Sequence, residues 1–160
     1  GGQTWEEAVQ AYEMGLAGVV LSNHGGRQLD FARSGVEVLE EVMRELRKRG
    51  SFPNPAFQVM VDGGFRRGTD ILKALAMGAT AVGIGRPFLY AYSAYGVDGV
   101  IHAINLLRDE LEMNMRLIGA RSIEELVPSM VDLSALHNHT GAVFPKQDQS
   151  VLDFMDKSRL

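Results

Sequence analysis

Cysteine is absent from the 160 residues. That excludes disulfides, thiolate nucleophiles, iron–sulfur clusters and cysteine zinc sites, and it fits a reducing compartment. An excess of charge is lacking too: 16 Lys and Arg stand against 20 Asp and Glu, for a net charge of −4. So slight an imbalance gives no electrostatic basis for binding nucleic acid or an anionic membrane surface. The longest apolar runs are far too short to span a bilayer. Gly1-Gly2-Gln3-Thr4 offers neither a basic nor an apolar leader, so no signal or transit peptide is expected. What is present, 46% apolar and 22% charged residues, is ordinary globular composition. The length suits one compact domain with a sizeable core.

Local patterns divide the chain into alternating helices and strands. Thr4-Trp5-Glu6-Glu7 is a capping box, and Trp5, Ala8, Val9 and Tyr12 behind it fall on one helical face, with Gly15 as the stop. Gly18-Val19-Val20-Leu21-Ser22 is a continuous apolar run of the kind found in strands buried on both faces. After a polar loop from Asn23 to Arg33, Ser34 and Glu37 form a second capping box. A helix with Val36, Leu39, Val42, Met43 and Leu46 inward follows, ending in Arg47-Lys48-Arg49-Gly50. A second buried strand, Phe57 to Val61, precedes Asp62-Gly63-Gly64. A third helix from Thr69 turns Ile71, Leu72 and Leu75 inward, and a third strand covers Thr80 to Ile84. A long helix from about Val97 to Ile118 presents Val100, Ile101, Ile104, Leu107, Leu111 and Met115, and Ser122 with Glu125 caps one more short helix. Residues 138–160 are polar, without a clear period, and are assigned to a tail; residues 1–137 form the domain. The alternation predicts an α/β fold with a parallel sheet, and three strands do not close a barrel.

In parallel α/β proteins, ligands bind at the carboxyl ends of the strands. Three Gly- and Arg-rich segments are expected there: Ser22 to Arg27, Asp62 to Arg66, and Gly85-Arg86-Pro87. The second and third suit a phosphate. Gly63 and Gly64 allow close approach of backbone N–H groups, and Arg66 and Arg86 supply charge-assisted hydrogen bonds. Pro87 suits the first turn of a short extra helix facing an anion. A Rossmann dinucleotide site is not predicted, because Gly83-Ile84-Gly85-Arg86-Pro87-Phe88 puts Phe88 where the third glycine belongs. The first segment suits acid–base work on an anionic substrate: histidine is the usual general base near neutral pH, and an arginine can clamp a carboxylate beside it. His24 and Arg27 are those candidates; a structural hydrogen bond is the plain alternative for a histidine in a glycine loop. Asp30 either orients this loop or is solvated. His102 is placed near the surface, Trp5, Tyr90, Tyr92 and Tyr95 in packing, and Arg67 in a pair with an acid. His137-Asn138-His139 lacks a third convergent ligand, so no metal site is predicted.

Two strings, Ser22-Asn23-His24-Gly25-Gly26-Arg27-Gln28-Leu29-Asp30 and Val61-Asp62-Gly63-Gly64-Phe65-Arg66-Arg67-Gly68-Thr69-Asp70, closely resemble the FMN-dependent 2-hydroxy-acid oxidase and dehydrogenase family. That family includes glycolate and lactate oxidases and the flavin domain of flavocytochrome b2. Gly83 to Phe88 and Arg108-Asp109-Glu110-Leu111 continue the likeness, which extends over about residues 3 to 135. It implies strands six to eight, with their helices, of a TIM (β/α)8 barrel. By position it makes His24 the base and Arg27 the substrate-carboxylate arginine. It places Asp62, Gly63, Gly64, Phe65 and Arg66 in the FMN-binding turn, with Gly85 and Arg86 as the second phosphate contact. The implied reaction oxidises an L-2-hydroxy acid of the glycolate or L-lactate type to the 2-keto acid. Either the hydroxyl proton or the α-proton goes to His24, and electrons pass through FMN to oxygen or a cytochrome.

The same resemblance implies partners beyond the substrate: an N-terminal half of the barrel carrying active-site tyrosines, a carboxylate and a lysine, and a homo-oligomer once complete. The 160-residue chain alone is then expected to bind FMN weakly and turn over poorly. A catalytically silent half-barrel that binds phosphate ligands or a partner through its sheet edges is the alternative. An isomerase-type phosphate-binding barrel fits less well, because it needs no carboxylate clamp. Ser158-Arg159-Leu160 is a variant of the Ser-Lys-Leu peroxisomal address, so a peroxisomal location is expected, with a mitochondrial one as the alternative.

Overall fold

The computed structural model describes residues 1–136. Helices and strands alternate as the sequence predicts: α1 (Trp5–Glu13), β1 (Gly18–Leu21), α2 (Gly35–Lys48), β2 (Gln58–Asp62), α3 (Gly68–Met77), β3 (Ala81–Gly83) and α4 (Arg86–Leu117). A 3-10 turn at His24–Gly26 follows β1, and two more, Ile123–Glu125 and Pro128–Met130, follow α4. The strands form one parallel sheet in the order β1-β2-β3, with Val19 opposite Val59 and Val61 opposite Val82. Gly2 adds a single parallel bridge to Leu21 on the free side of β1.

The predicted start signals act as caps. Thr4 and Glu7 close a capping box on α1, and Ser34 and Glu37 close one on α2, each satisfying N–H groups that the first turn leaves over. Val38, Leu39, Val42, Met43 and Leu46 then lie in the core along one stripe of α2. They pack with Leu21, Val59 and Val61 from the sheet and Ala74 and Met77 from α3. Burial of each such aliphatic side chain stabilises the fold by roughly 1.5–3 kcal/mol. Arg47 closes the far end: its Nη2 donates to the Met77 carbonyl at 2.6 Å, taking up a free acceptor at the end of α3.

Four expectations need correction. The strands are covered on one face only among the described residues. Leu21, Val59 and Val61 are buried, whereas Val20 is 45% exposed, Met60 half-buried and Ala81 exposed. An unbroken apolar run shows that both faces avoid water, but it does not say which chain segment covers the second face. Next, α4 begins at Arg86 and breaks at Gly96 (φ 61, ψ −147), so the expected short helix and long helix abut. Close contact at this break requires glycine, since a Cβ on Gly99 would stand 2.3 Å from the Ala91 carbonyl oxygen. Beyond it, Leu111 and Met115 meet the core, but Ile101 and Ile104 are about half exposed. Tyr90, Tyr92 and Tyr95, expected in packing, are likewise exposed, because no described element lies over the first turns of α4. Finally, Ile123–Glu125 is a 3-10 turn with no side-chain cap from Ser122. Its Glu125 carboxylate instead accepts the Arg121 amide and guanidinium.

Among the described residues, no helix is long and apolar enough to cross a membrane. His137-Asn138-His139, the tail assignment and Ser158-Arg159-Leu160 lie outside the described residues.

Candidate functional site

The three predicted segments all follow the carboxyl ends of parallel strands, and each is held by a different local device. In the first, Ser22 Oγ accepts the His24 amide at 3.0 Å, and Asn23 Oδ1 accepts the Gly26 amide at 3.2 Å. These short polar side chains substitute for backbone acceptors, as Asx and Ser turns do. His24, Gly25 and Gly26 all take positive φ, at 57°, 64° and 71°. The His24 and Arg27 side chains are exposed, and among the described residues the Arg27 guanidinium has no protein partner. Asp30 bonds only the next amide, that of Phe31, so it shapes its own turn.

In the second segment, Gly63 and Gly64 sit at φ 88° and 91°, conformations that L side chains rarely adopt. The Asp70 carboxylate then accepts the Arg66 and Arg67 amides, both at 3.0 Å, and fixes the turn into α3. Arg66 leaves its guanidinium exposed and unpaired among the described residues. Phe65 is different: its ring is buried at 3% exposure within the core, so only its backbone faces the site. Asp62 Oδ1 is buried and has no hydrogen-bond partner among the described residues. A buried acceptor left unmade costs about 1–3 kcal/mol, which calls for a donor from outside the described chain.

In the third, Gly85 precedes α4 and Arg86 and Pro87 open it. Pro87 has no N–H and Phe88 donates to the Gly85 carbonyl at 3.0 Å, so the amides left for an anion are those of Gly85 and Arg86. A Cβ on Gly85 or Gly64 would meet nothing within 4 Å, so open space lies beside both. The segments touch one another: Asn23 Oδ1 lies 3.1 Å from the position of a Cβ on Gly63, and Arg86 Nη2 donates to the Gly25 carbonyl at 2.9 Å. Sequence reasoning gave Asn23 and Ser22 no role. The signal available was a short polar pair one residue ahead of a glycine pair.

Arg67 points elsewhere, as expected, and pairs with Glu110 of α4 through its Nε at 2.8 Å and its Nη2. The same carboxylate accepts the Gly68 amide at 2.7 Å. Arg67 and then that amide hold the Glu110 carboxyl below its usual range. A carboxyl depressed in the folded state stabilises the fold above its unfolded pKa and loses that contribution as pH falls through the folded value. Glu110→Gln is therefore expected to lower the melting temperature at pH 7, and the gap from wild type should narrow as pH drops towards about 3. Melting curves over that range check it; a gap that stays constant with pH would exclude the ionic origin.

A surface hollow of about 410 Å³ lies away from this site, lined by Met43, Arg47, Met77 and Leu133 among others. Its cations are already engaged: Arg47 by the Met77 carbonyl, Arg44 by Glu40 and Lys48 by Glu45.

Known proteins give the geometry a context. The chain is 59% identical to an L-lactate dehydrogenase (cytochrome) of Wickerhamomyces anomalus over 86% of its length, and 57% identical to that of Saccharomyces cerevisiae over 89%. It spans 24% of either relative, about a quarter of their length. A peroxisomal (S)-2-hydroxy-acid oxidase of Oryza sativa subsp. japonica is 49% identical over 80% of the chain, which covers 33% of it. Among solved structures, the flavin-binding domain of baker's yeast flavocytochrome b2 matches with a TM-score of 0.81 at 52% identity, over 96% of this chain and 38% of that one. A mandelate oxidase matches at 0.72 and 41%, over 80% of this chain and 38% of that one. The family model for FMN-dependent dehydrogenases matches residues 1–133, and the chain belongs to that family.

Proposed function

We propose that this chain supplies the phosphate cradle, the base and the substrate anchor of an FMN-dependent 2-hydroxy-acid oxidoreductase. It would do so as strands six to eight of a TIM barrel whose other strands come from outside the described residues. The observation that carries this reading is the donor set at the ends of β2 and β3. Two glycines at positive φ, the Gly85 and Arg86 amides at the start of α4 and two arginines border open space. That is the chemistry of a phosphate monoester site. The orphaned Asp62 Oδ1 adds an acceptor for a hydroxyl, which FMN's sugar-alcohol chain can provide. Asp62, Gly63, Gly64, Arg66, Gly85 and Arg86 would hold FMN, with Phe65 contributing backbone and packing.

FMN, when bound, supplies a two-electron acceptor. The chain's own residues do the rest of what is proposed. Arg27, exposed and unpaired, takes the substrate carboxylate in its fork, which restricts how the 2-hydroxy carbon can lie. His24 accepts the proton released on oxidation. The fungal relatives are cytochrome-linked L-lactate dehydrogenases, and they favour a small L-2-hydroxy acid as substrate and a cytochrome as acceptor. The plant oxidases favour oxygen and a peroxisomal setting over a mitochondrial one. The free edges of β1 and β3 are where the remaining strands would pair to close the barrel, with the face exposed at Val20 and Ala81 turned to its interior, and the completed fold would form a homo-oligomer.

An anaerobic titration with FMN, then L-lactate or glycolate, followed by visible spectra, tests the reading. FMN is expected to bind. Any bleaching on addition of substrate should vanish in His24→Ala while FMN binding persists. Failure to bind FMN would overturn the cofactor assignment, and bleaching that survives in His24→Ala would remove His24 from the role of base.

A further inference from the structure

We propose that Arg86 is a positioning residue for His24, acting through the carbonyl of Gly25. Its functional meaning rests on His24 being the base; the contact between Arg86 and the Gly25 carbonyl does not. Three successive residues, His24 to Gly26, hold positive φ. For the histidine, which carries a Cβ, this conformation is disfavoured and persists only where surrounding contacts impose it. The local contacts come from within the same segment. Ser22 Oγ takes the His24 amide, Asn23 takes the Gly26 amide, and the His24 carbonyl takes the Arg27 amide. Such bonds give the turn its shape but leave it free to swing as a unit.

Among the described residues, the one hydrogen bond that ties residues 23–27 to another element is Arg86 Nη2 to the Gly25 carbonyl, across 61 positions of sequence. Arg86 is a rigid post for that purpose. It is the first residue of α4, followed by Pro87 with its fixed φ. Gly25 fits the tether closely, since a Cβ there would stand 3.1 Å from Arg86 Nη2. The guanidinium carries five N–H donors in a plane, and one bond to a carbonyl leaves others for an anion. A single side chain at the cofactor end thus sets the direction in which the exposed imidazole is presented.

Ligand-free NMR of the full chain tests this, with the His24 imidazole signal identified from its loss in His24→Gln. In Arg86→Ala, the His24 imidazole and the Gly25, Gly26 and Arg27 amides are expected to shift and broaden. Amide exchange at Gly26 and Arg27 should speed up on the order of five- to tenfold, the loss of one hydrogen bond. Arg66→Ala removes the same charge from the neighbouring loop without touching this turn, and should leave those signals in place. Arg86→Lys, which keeps the charge and the helix start, covers the case in which the alanine variant folds poorly and should disturb the same residues. Unchanged signals at residues 24–27 in both Arg86 variants, or equal changes in Arg66→Ala, would overturn the proposal. Adding inorganic phosphate to the wild type tests the phosphate cradle separately, so failure of that cradle is distinguishable from failure of the tether.

Discussion

Arg66→Ala is expected to weaken FMN binding by roughly ten- to a hundredfold while leaving riboflavin, which lacks the phosphate, nearly unaffected. The expectation follows from how the arginine is held. Asp70 accepts both the Arg66 and Arg67 amides, and Gly63 and Gly64 supply the backbone reversal before them, so the turn is ordered without help from the guanidinium. The guanidinium itself is exposed and bound to nothing among the described residues. Removing it therefore takes away a ligand contact and little else. A charge-assisted hydrogen bond to phosphate contributes about 1.5–3 kcal/mol, which sets the range of the predicted loss. Fluorescence titrations with the two flavins at low and high salt measure it. Equal weakening for both flavins would mean that the substitution disturbs the turn, and no weakening for either would place the phosphate elsewhere.

Much of this arrangement is readable from sequence because it is local. Thr4 with Glu7 and Ser34 with Glu37 specify helix starts within four residues, and Gly15 after α1 needs only its own φ. The positions of the three Gly-Arg segments follow from alternation alone, since a parallel sheet puts every strand's end on one side. The features that escaped depend on distant parts of the chain. Nothing near Arg86 reveals that it reaches Gly25, 61 residues earlier. Similarly, Ile101 and Ile104 share a helical period with Leu111 and Met115, yet only the latter pair meets the core. Periodicity marks an apolar stripe but not how far the neighbouring element extends along it. The exposed rings of Tyr90, Tyr92 and Tyr95 have the same origin. Burial is a property of what lies opposite.

Gly35→Ala sets two local rules against each other, and the structure decides the sign. By helix propensity, alanine should replace glycine at the start of α2 with a gain, up to about 1 kcal/mol in a helix interior. The space at Gly35 points the other way. A Cβ there would lie 2.6 Å from the Asp62 carbonyl oxygen, 2.8 Å from Val61 Cγ2 and 3.2 Å from the Leu21 carbonyl oxygen. Two of those neighbours are backbone atoms in paired parallel strands, which cannot rotate aside as a side-chain tip would. Relief requires α2 to move off the sheet, with loss of packing between Leu39, Val42 and the strands it covers. Overpacking of this kind costs about 1–3 kcal/mol and outweighs the propensity gain. For a chain of this size the melting temperature is expected to fall by roughly 2–10 °C. The same movement pulls on residues 22–34, which join β1 to α2 and include the His24 turn, so FMN affinity should fall along with stability. Thermal unfolding followed by circular dichroism, with a flavin titration on the folded variant, measures both. A melting temperature equal to or above wild type would show that α2 slides freely over the strand ends, and the rigidity assigned to the site's foundation would then have to come from elsewhere.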